Sequence, residues 1–166
     1  VAYVYKSSFE FYARLDCFWD TPKSIDLCCF NTKGDVFVSI CGDIILWDFS
    51  ENHIERRKAI IKSKESITFM QKPNDVDMFI CGSSNRLIIS DFDGNLNILM
   101  LKKQGVMGSN IHLLDIRDGN SKEKIILACL TQDLRFIIIG FSDGTVRVYN
   151  NDDSYSFYAD SKGVHT

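Results

Sequence analysis

At 166 residues, with 45% apolar and 25% charged side chains, the chain has the composition of one folded domain, which excludes intrinsic disorder. No stretch approaches the roughly 20 apolar residues of a membrane-spanning helix, and no charged start leads through an apolar run to a cleavage site. The net charge of −3 and the pI near 5.6 argue against non-specific binding to nucleic acid, which asks for a clearly basic surface.

Val1 to Tyr5 alternates apolar and polar residues, and Phe9-Glu10-Phe11-Tyr12-Ala13 follows it, so the chain opens on two strands. A longer pattern then occurs three times. In the first copy Ile25 to Phe30 leads through the polar turn Asn31 to Asp35 into Val36 to Cys41, and Gly42-Asp43 separates that run from Ile44 to Phe49. The second copy has Val76 to Cys81, the turn Ser83 to Arg86, Leu87 to Phe92, Asp93-Gly94 and Leu96 to Leu101. The third has Ile125 to Leu130, the turn Thr131 to Leu134, Phe136 to Phe141, Asp143-Gly144 and Val146 to Asn150. Ser156 to Ala159 then repeats the events at the start of the chain.

The clearest hairpin is Phe136 to Asn150. Its flanks are β-branched and suit a pleated surface, and its Asp-Gly pair tolerates the positive φ of a tight turn. The turn aspartates Asp43, Asp93 and Asp143 recur at an interval of 50 residues. A fixed period of this size signals a propeller or solenoid, because one small sheet cannot bury both of its faces alone. Each copy needs a fourth, outer strand. In the first copy Lys58 to Ile61 and Ser66 to Met70 compete for that role, and Ser66 to Met70 is preferred, which leaves residues 53–64 as an elongated connection; in the second copy the strand is Ile111 to Ile116. The expected fold is all-β, with about three and a half four-stranded antiparallel units. Residues 1–18 supply the outer strands of a preceding unit, and complete units span 25–70, 76–116 and 125–159.

Trp47-Asp48 at the end of a third strand, the segment Ser142 to Tyr149 (SDGTVRVY) and the 50-residue recurrence resemble WD40 repeats, over nearly the whole chain. The copies vary: Ile98 stands where the family's Trp would sit, and His53 and His112 do not occupy the Gly-His position the family often places before a first strand. Gly163-Val164-His165 matches such a signal. The resemblance implies a segment of a WD40-like β-propeller, and the absence of an initial Met reads as a fragment of a larger ring. Three and a half units do not close a ring of four to eight, so the remainder of the propeller or a second chain is expected to complete it. The implied function is a non-catalytic protein–protein interaction scaffold in a larger intracellular assembly, cytoplasmic or nuclear.

Nothing in the chain spells an enzyme or a cofactor site. The three histidines stand apart, with no nucleophile elbow near them, and no P-loop or dinucleotide-binding glycine pattern is present. Asp91, Asp93 and Asn95 resemble the start of a calcium loop, but the downstream Glu is missing and the segment reads as a hairpin. The six cysteines include no C-x-x-C pair; five lie inside strands and read as reduced structural thiols, with the adjacent Cys28 and Cys29 on opposite faces.

Recognition is expected on loops that a rigid scaffold holds. In a propeller the loops leading into the innermost strands gather on one face with the turns between second and third strands. The candidates in those leading loops are Trp19, Asp20 and Lys23; Lys72, Asn74 and Asp75; and Arg117, Asp118 and Lys122. Trp19 is the best anchor, because large amphipathic rings dominate interfaces. One basic run, Arg56, Arg57 and Lys58 with Lys62 and Lys64, reads as a solvated loop or as a contact with phosphate, acidic protein or anionic lipid. Two alternatives to the scaffold remain: a reader of peptides or modified residues through the propeller channel, and a nucleic-acid-associated module using the basic loop 56–64.

Overall fold

In the computed structural model every regular element among the described residues is a β-strand; the description covers residues 2–5, 8, 11–15, 25–40, 43–51, 53–56, 61–62, 66–101, 111–114 and 124–161. The chain divides into two compact units, Val1–Ser66 and Ile67–Thr166.

In the first unit β1 (Ala2–Tyr5) and β2 (Phe11–Leu15) form an antiparallel pair. Strands β3 (Leu27–Phe30), β4 (Val36–Ile40) and β5 (Asp43–Glu51) form an antiparallel meander, and β6 (His53–Arg56) and β7 (Ile61–Lys62) both pair with β5. Side chains alternate as a pleat requires. Leu27 and Cys29 are half-buried between exposed Cys28 and Phe30, while Val36, Val38 and Ile40 are buried. The thiol of Cys28 is therefore on an outward face, not in a core.

The outer strand of this sheet differs from expectation. It is divided between β6 and β7, inside the segment read as a connection, and Ser66 to Met70 does not supply it. Instead β8 (Phe69–Gln71) joins the next sheet, where Phe69 pairs with Gly82. The reason is physical: β5 runs for nine residues and offers an edge long enough for two short partners, whereas Phe69 packs against the apolar core of the second unit.

The second unit holds two sheets. In one, β9 (Met78–Gly82), β10 (Arg86–Asp91), β11 (Leu96–Met100) and β12 (Ile111–Leu113) lie in the order β12-β11-β10-β9-β8. The other is the meander β13 (Ile125–Leu130), β14 (Phe136–Phe141), β15 (Val146–Asn150) and β16 (Phe157–Ser161). In the Asp-Gly turns the glycine alone takes positive φ, 98° at Gly94 and 83° at Gly144. Phe141 N donates to Thr145 O at 2.9 Å, so the hairpin closes through a three-residue loop with a glycine bulge. The turn between β13 and β14 makes the same bend without glycine: Leu134 holds φ 58° where the first copy has Gly34 at 76°.

One feature sets the architecture of this unit. Strand β12 occupies the expected fourth position but pairs with β11 in parallel, Ile98 opposite Ile111 and Met100 opposite Leu113. A parallel neighbour requires the chain to return to the end where β11 begins, so it leaves the sheet at the end opposite to the one an antiparallel strand would give. The next sheet is accordingly reversed. Ile125 N, at the start of β13, donates to Ser84 O just past the end of β9 at 2.7 Å, and Leu130 N, at the end of β13, donates to Gln71 Oε1 at 3.4 Å.

Strand pairing makes Leu87, Ile89 and Leu99 equivalent to Ile137, Ile139 and Tyr149, and Ile80 equivalent to Ala128. All eight lie in a single buried core, so the two sheets meet through the same face of the repeat. Each fully buried large side chain there contributes about 1.5–3 kcal/mol. The expected gathering of leading loops with second-to-third-strand turns on one face does not hold between these sheets. The leading loop 72–77 shares its end with the β13–β14 turn, while Lys124 and the turn 141–145 lie together at the other end, where Ser142 N donates to Lys124 O at 2.9 Å.

Candidate interaction site

The loop between β8 and β9 carries three of the expected contact residues, and the second unit braces it. Pro73 is buried within it, Asn74 and Asp75 form an exposed turn, and the Lys72 ammonium donates to the carbonyls of Pro73 at 3.0 Å and Asn74 at 3.1 Å. The Lys72 charge is thus folded over its own loop. Asp75 Oδ2 accepts a 3.0 Å hydrogen bond from Gln132 Nε2, 57 residues away in the β13–β14 turn.

That turn is itself held from two sides. Thr131 Oγ1 donates to Asp133 Oδ1 at 2.6 Å, and Arg135 N donates to the same oxygen at 3.1 Å, which together hold the Asp133 carboxyl below its ordinary range. Asn151 donates through Nδ2 to Leu134 O at 2.8 Å and through its backbone N to Arg135 O at 2.9 Å. Beyond Asn151, the Ser154 hydroxyl and N–H and the Tyr155 N–H all reach Asp152 Oδ1, and they lower that carboxyl too. Three loops, 72–77, 131–135 and 151–155, therefore make one polar ridge. It carries Asp75, Asp77, Asp133, Asp152 and Asp153 against Lys72 and Arg135, so it is acidic on balance. The Arg135 guanidinium lies 5.3 Å from the ring centre of Phe136, which limits its reach into solvent.

Beneath the ridge Tyr155 is buried at φ 46°. Asn97 Nδ2 donates to its hydroxyl at 2.7 Å, and the His112 ring lies 4.6 Å from its ring centre. Burial pushes the Tyr155 pKa up, the bond from Asn97 opposing it. This anchor ties β11 and β12 to the base of the ridge.

Of the remaining candidates, Trp19, Asp20, Lys23, Arg117, Asp118, Lys122, Arg57, Lys58 and Lys64 lie outside the described residues. Arg56 and Lys62 stand opposite Trp47 and Asp43 along the outer edge of one sheet. The residues that sequence reasoning missed are Gln132, Asp133, Arg135 and Asn151. Their segments read only as turns, and nothing local announces that two turns on different sheets share a ridge.

The calcium-like segment has another use for its carboxylate. Asp91 Oδ1 accepts the N–H groups of Asp93, Gly94 and Asn95 at 2.9, 2.8 and 2.9 Å, and Asp91 Oδ2 accepts Asn95 Nδ2 at 2.7 Å. Among the described residues no group of three His, Cys, Asp or Glu side chains is placed to hold a metal ion. The Asp143 carboxyl is likewise lowered, chiefly by the Thr145 N–H.

No protein-family model and no curated protein matches the chain. Among solved structures, the crystal structure of the C-terminal WD40 domain of Sif2 is similar at a TM-score of 0.54 and 18% sequence identity, over 87% of this chain and 38% of that one. The fold is of the WD40 β-propeller type. At that identity the likeness is one of fold, and the chain spans 38% of the length of the WD40 structure it matches. Among the described residues no helix is long and apolar enough to cross a membrane.

Proposed function

We propose that this chain is a non-catalytic protein–protein interaction scaffold of the WD40 type, working within a larger intracellular multiprotein assembly. One observation carries the reading: the 3.0 Å bond from Gln132 to Asp75 fixes an exposed loop of one sheet to a turn of the next, so a polar ridge is preorganised on rigid strands. The non-catalytic part draws support from the aspartates. Those of the hairpins accept N–H groups of their own turns, which suits a structural role better than proton transfer.

Trp19, Asp20 and Lys23, and Arg117, Asp118 and Lys122, extend the proposed contact set beside Lys72, Asn74 and Asp75. The test is quantitative affinity purification with the wild-type chain and with an Asn74→Ala/Asp75→Ala variant. Partner recovery should fall at least about tenfold while the melting temperature holds, because exposed loop truncations barely touch stability. Equal recovery by both would overturn the ridge as the contact surface.

A second reading has one observation in its favour. Arg56 and Lys62 pair with the same strand, opposite Trp47 and Asp43, so two residues of the basic run 56–64 stand along one sheet edge. If that edge binds nucleic acid, RNA affinity will drop steeply with salt and flatten in an Arg56→Ala/Lys62→Ala variant.

A further inference from the structure

Among the described residues two that are not glycine hold positive φ, Leu134 at 58° and Tyr155 at 46°, and both lie in the loops of the ridge. A left-handed backbone strains any residue with a side chain, and such strain persists only where the surroundings over-determine it. In the first copy Gly34, at 76°, takes the place of Leu134, and no strain arises there. At this turn the strain belongs to the copy that carries the ridge.

The contacts that hold the two residues form a circuit between the sheets β8–β12 and β13–β16. Asp75 Oδ2, on the loop leading into β9, accepts from Gln132 Nε2 in the turn 131–135. Within that turn Leu134 N donates to Thr131 O at 2.9 Å, while Leu134 O accepts from Asn151 Nδ2 at 2.8 Å. Asn151 opens the loop 151–155, where Tyr155 N donates to Asp152 O at 3.1 Å. The circuit closes at the Tyr155 hydroxyl, which accepts from Asn97 on β11, back in the sheet that carries Asp75. Side-chain hydrogen bonds therefore span the seam at an exposed point, Asp75, and at a buried one, Tyr155. Asn151 links the strained turns between them.

We propose that this circuit is a latch that opens and closes as one unit. Closed, it presents Asn74 and Asp75 in one fixed arrangement; open, Gln132 has released Asp75, the Asn97 bond is lost, and Leu134 and Tyr155 have relaxed. Shared strain makes these steps concerted, because release of either end lets both backbones leave the left-handed region. Asn97 and Tyr155 are then positioning residues. They set the closed fraction without touching a partner, and the affinity of a partner for the closed ridge scales with that fraction. What the closed latch offers a partner rests on the ridge being the contact surface, whereas the latch itself is measured with no partner present. The two fail separately: partner recovery by the Asn74→Ala/Asp75→Ala variant judges the contact surface, and exchange rates judge the latch.

The experiment is amide hydrogen exchange, followed by nuclear magnetic resonance on the full 166-residue chain, for the wild type and for Gln132→Ala. Gln132 is exposed, so the variant should stay folded and keep its melting temperature. Exchange at the Leu134, Asn151 and Tyr155 N–H groups should quicken about tenfold, while Phe141 and Ser142, hydrogen-bonded at the other end of the same sheet, keep the wild-type rate. Tyr155→Phe reads the circuit from its buried side: Leu134 and Asn151 should quicken about tenfold more than Phe141 and Ser142. Equal acceleration at both ends is what a merely structural role for Tyr155 would give, and it would overturn the inference. So would a Tyr155 N–H that exchanges at the wild-type rate in Gln132→Ala.

Discussion

Asn97 on β11 and Tyr155 beyond β15 meet through a 2.7 Å hydrogen bond across 58 residues of sequence. The phenol is buried, so an unmatched amide at Asn97 would be costly. Tyr155→Phe should destabilise the protein by about 1–2 kcal/mol, and a double-mutant cycle with Asn97→Ala should give a coupling of about 1 kcal/mol in urea unfolding. Additive effects would mean that the bond contributes nothing beyond packing.

Two glycines make opposite predictions. A Cβ at Gly82 would collide with the backbone carbonyl of Arg86 and stand 2.9 Å from the Phe69 ring, whereas one at Gly140 would meet Leu127 at an ordinary 3.5 Å. Gly82→Ala should therefore cost about 2 kcal/mol or more, and Gly140→Ala should leave stability within about 0.5 kcal/mol. Thermal melts of the two variants side by side check the contrast.

Asp91 organises its turn with one oxygen and braces Asn95 with the other. Asp91→Ala leaves three N–H groups without that acceptor, and a loss of about 1–2 kcal/mol is expected. Calcium should not raise the melting temperature of the wild type, since the carboxylate is already engaged. A calcium-dependent rise abolished by Asp91→Ala would contradict this account.

Acid should weaken the fold through Asp133, Asp143 and Asp152, all held below the ordinary carboxyl value of 3.8 by N–H and O–H donors. Their contribution is present above that value, where the unfolded chain also carries the charge, and is lost as pH falls below it through the folded pKa values. Melting temperature should be level from about pH 7 to 5 and fall below about 4. Asp152→Asn should make the fall shallower.

The hairpins were legible because Asp93-Gly94 and Asp143-Gly144 stand between β-branched runs, so local propensity and tertiary structure agree there. The outer strands were not. An edge strand pairs on one side only, and β6, β7 and β8 are two to four residues long, too short for a period to show. The turn at Leu134 hid its bend because no glycine marks the positive φ. The sense of β12 depends on where the chain travels between Met100 and Ile111, which no pattern of apolar residues encodes. Asp75 could be placed on an exposed loop from its polar setting, but its bond to Gln132 could not be foreseen, because it comes from the reversal of the sheet that carries Gln132.

The reversal at β12 also limits growth. In a stack whose layers all point the same way, every added repeat exposes a fresh surface like the one it covered, and assembly can run on without end. Here Leu87 and Ile137 occupy equivalent places on opposite sides of a shared seam, so that surface is used up by the pair. Duplicating either hairpin in an engineered chain would not lengthen the array at that seam; the extra copy would compete with its twin for the same position.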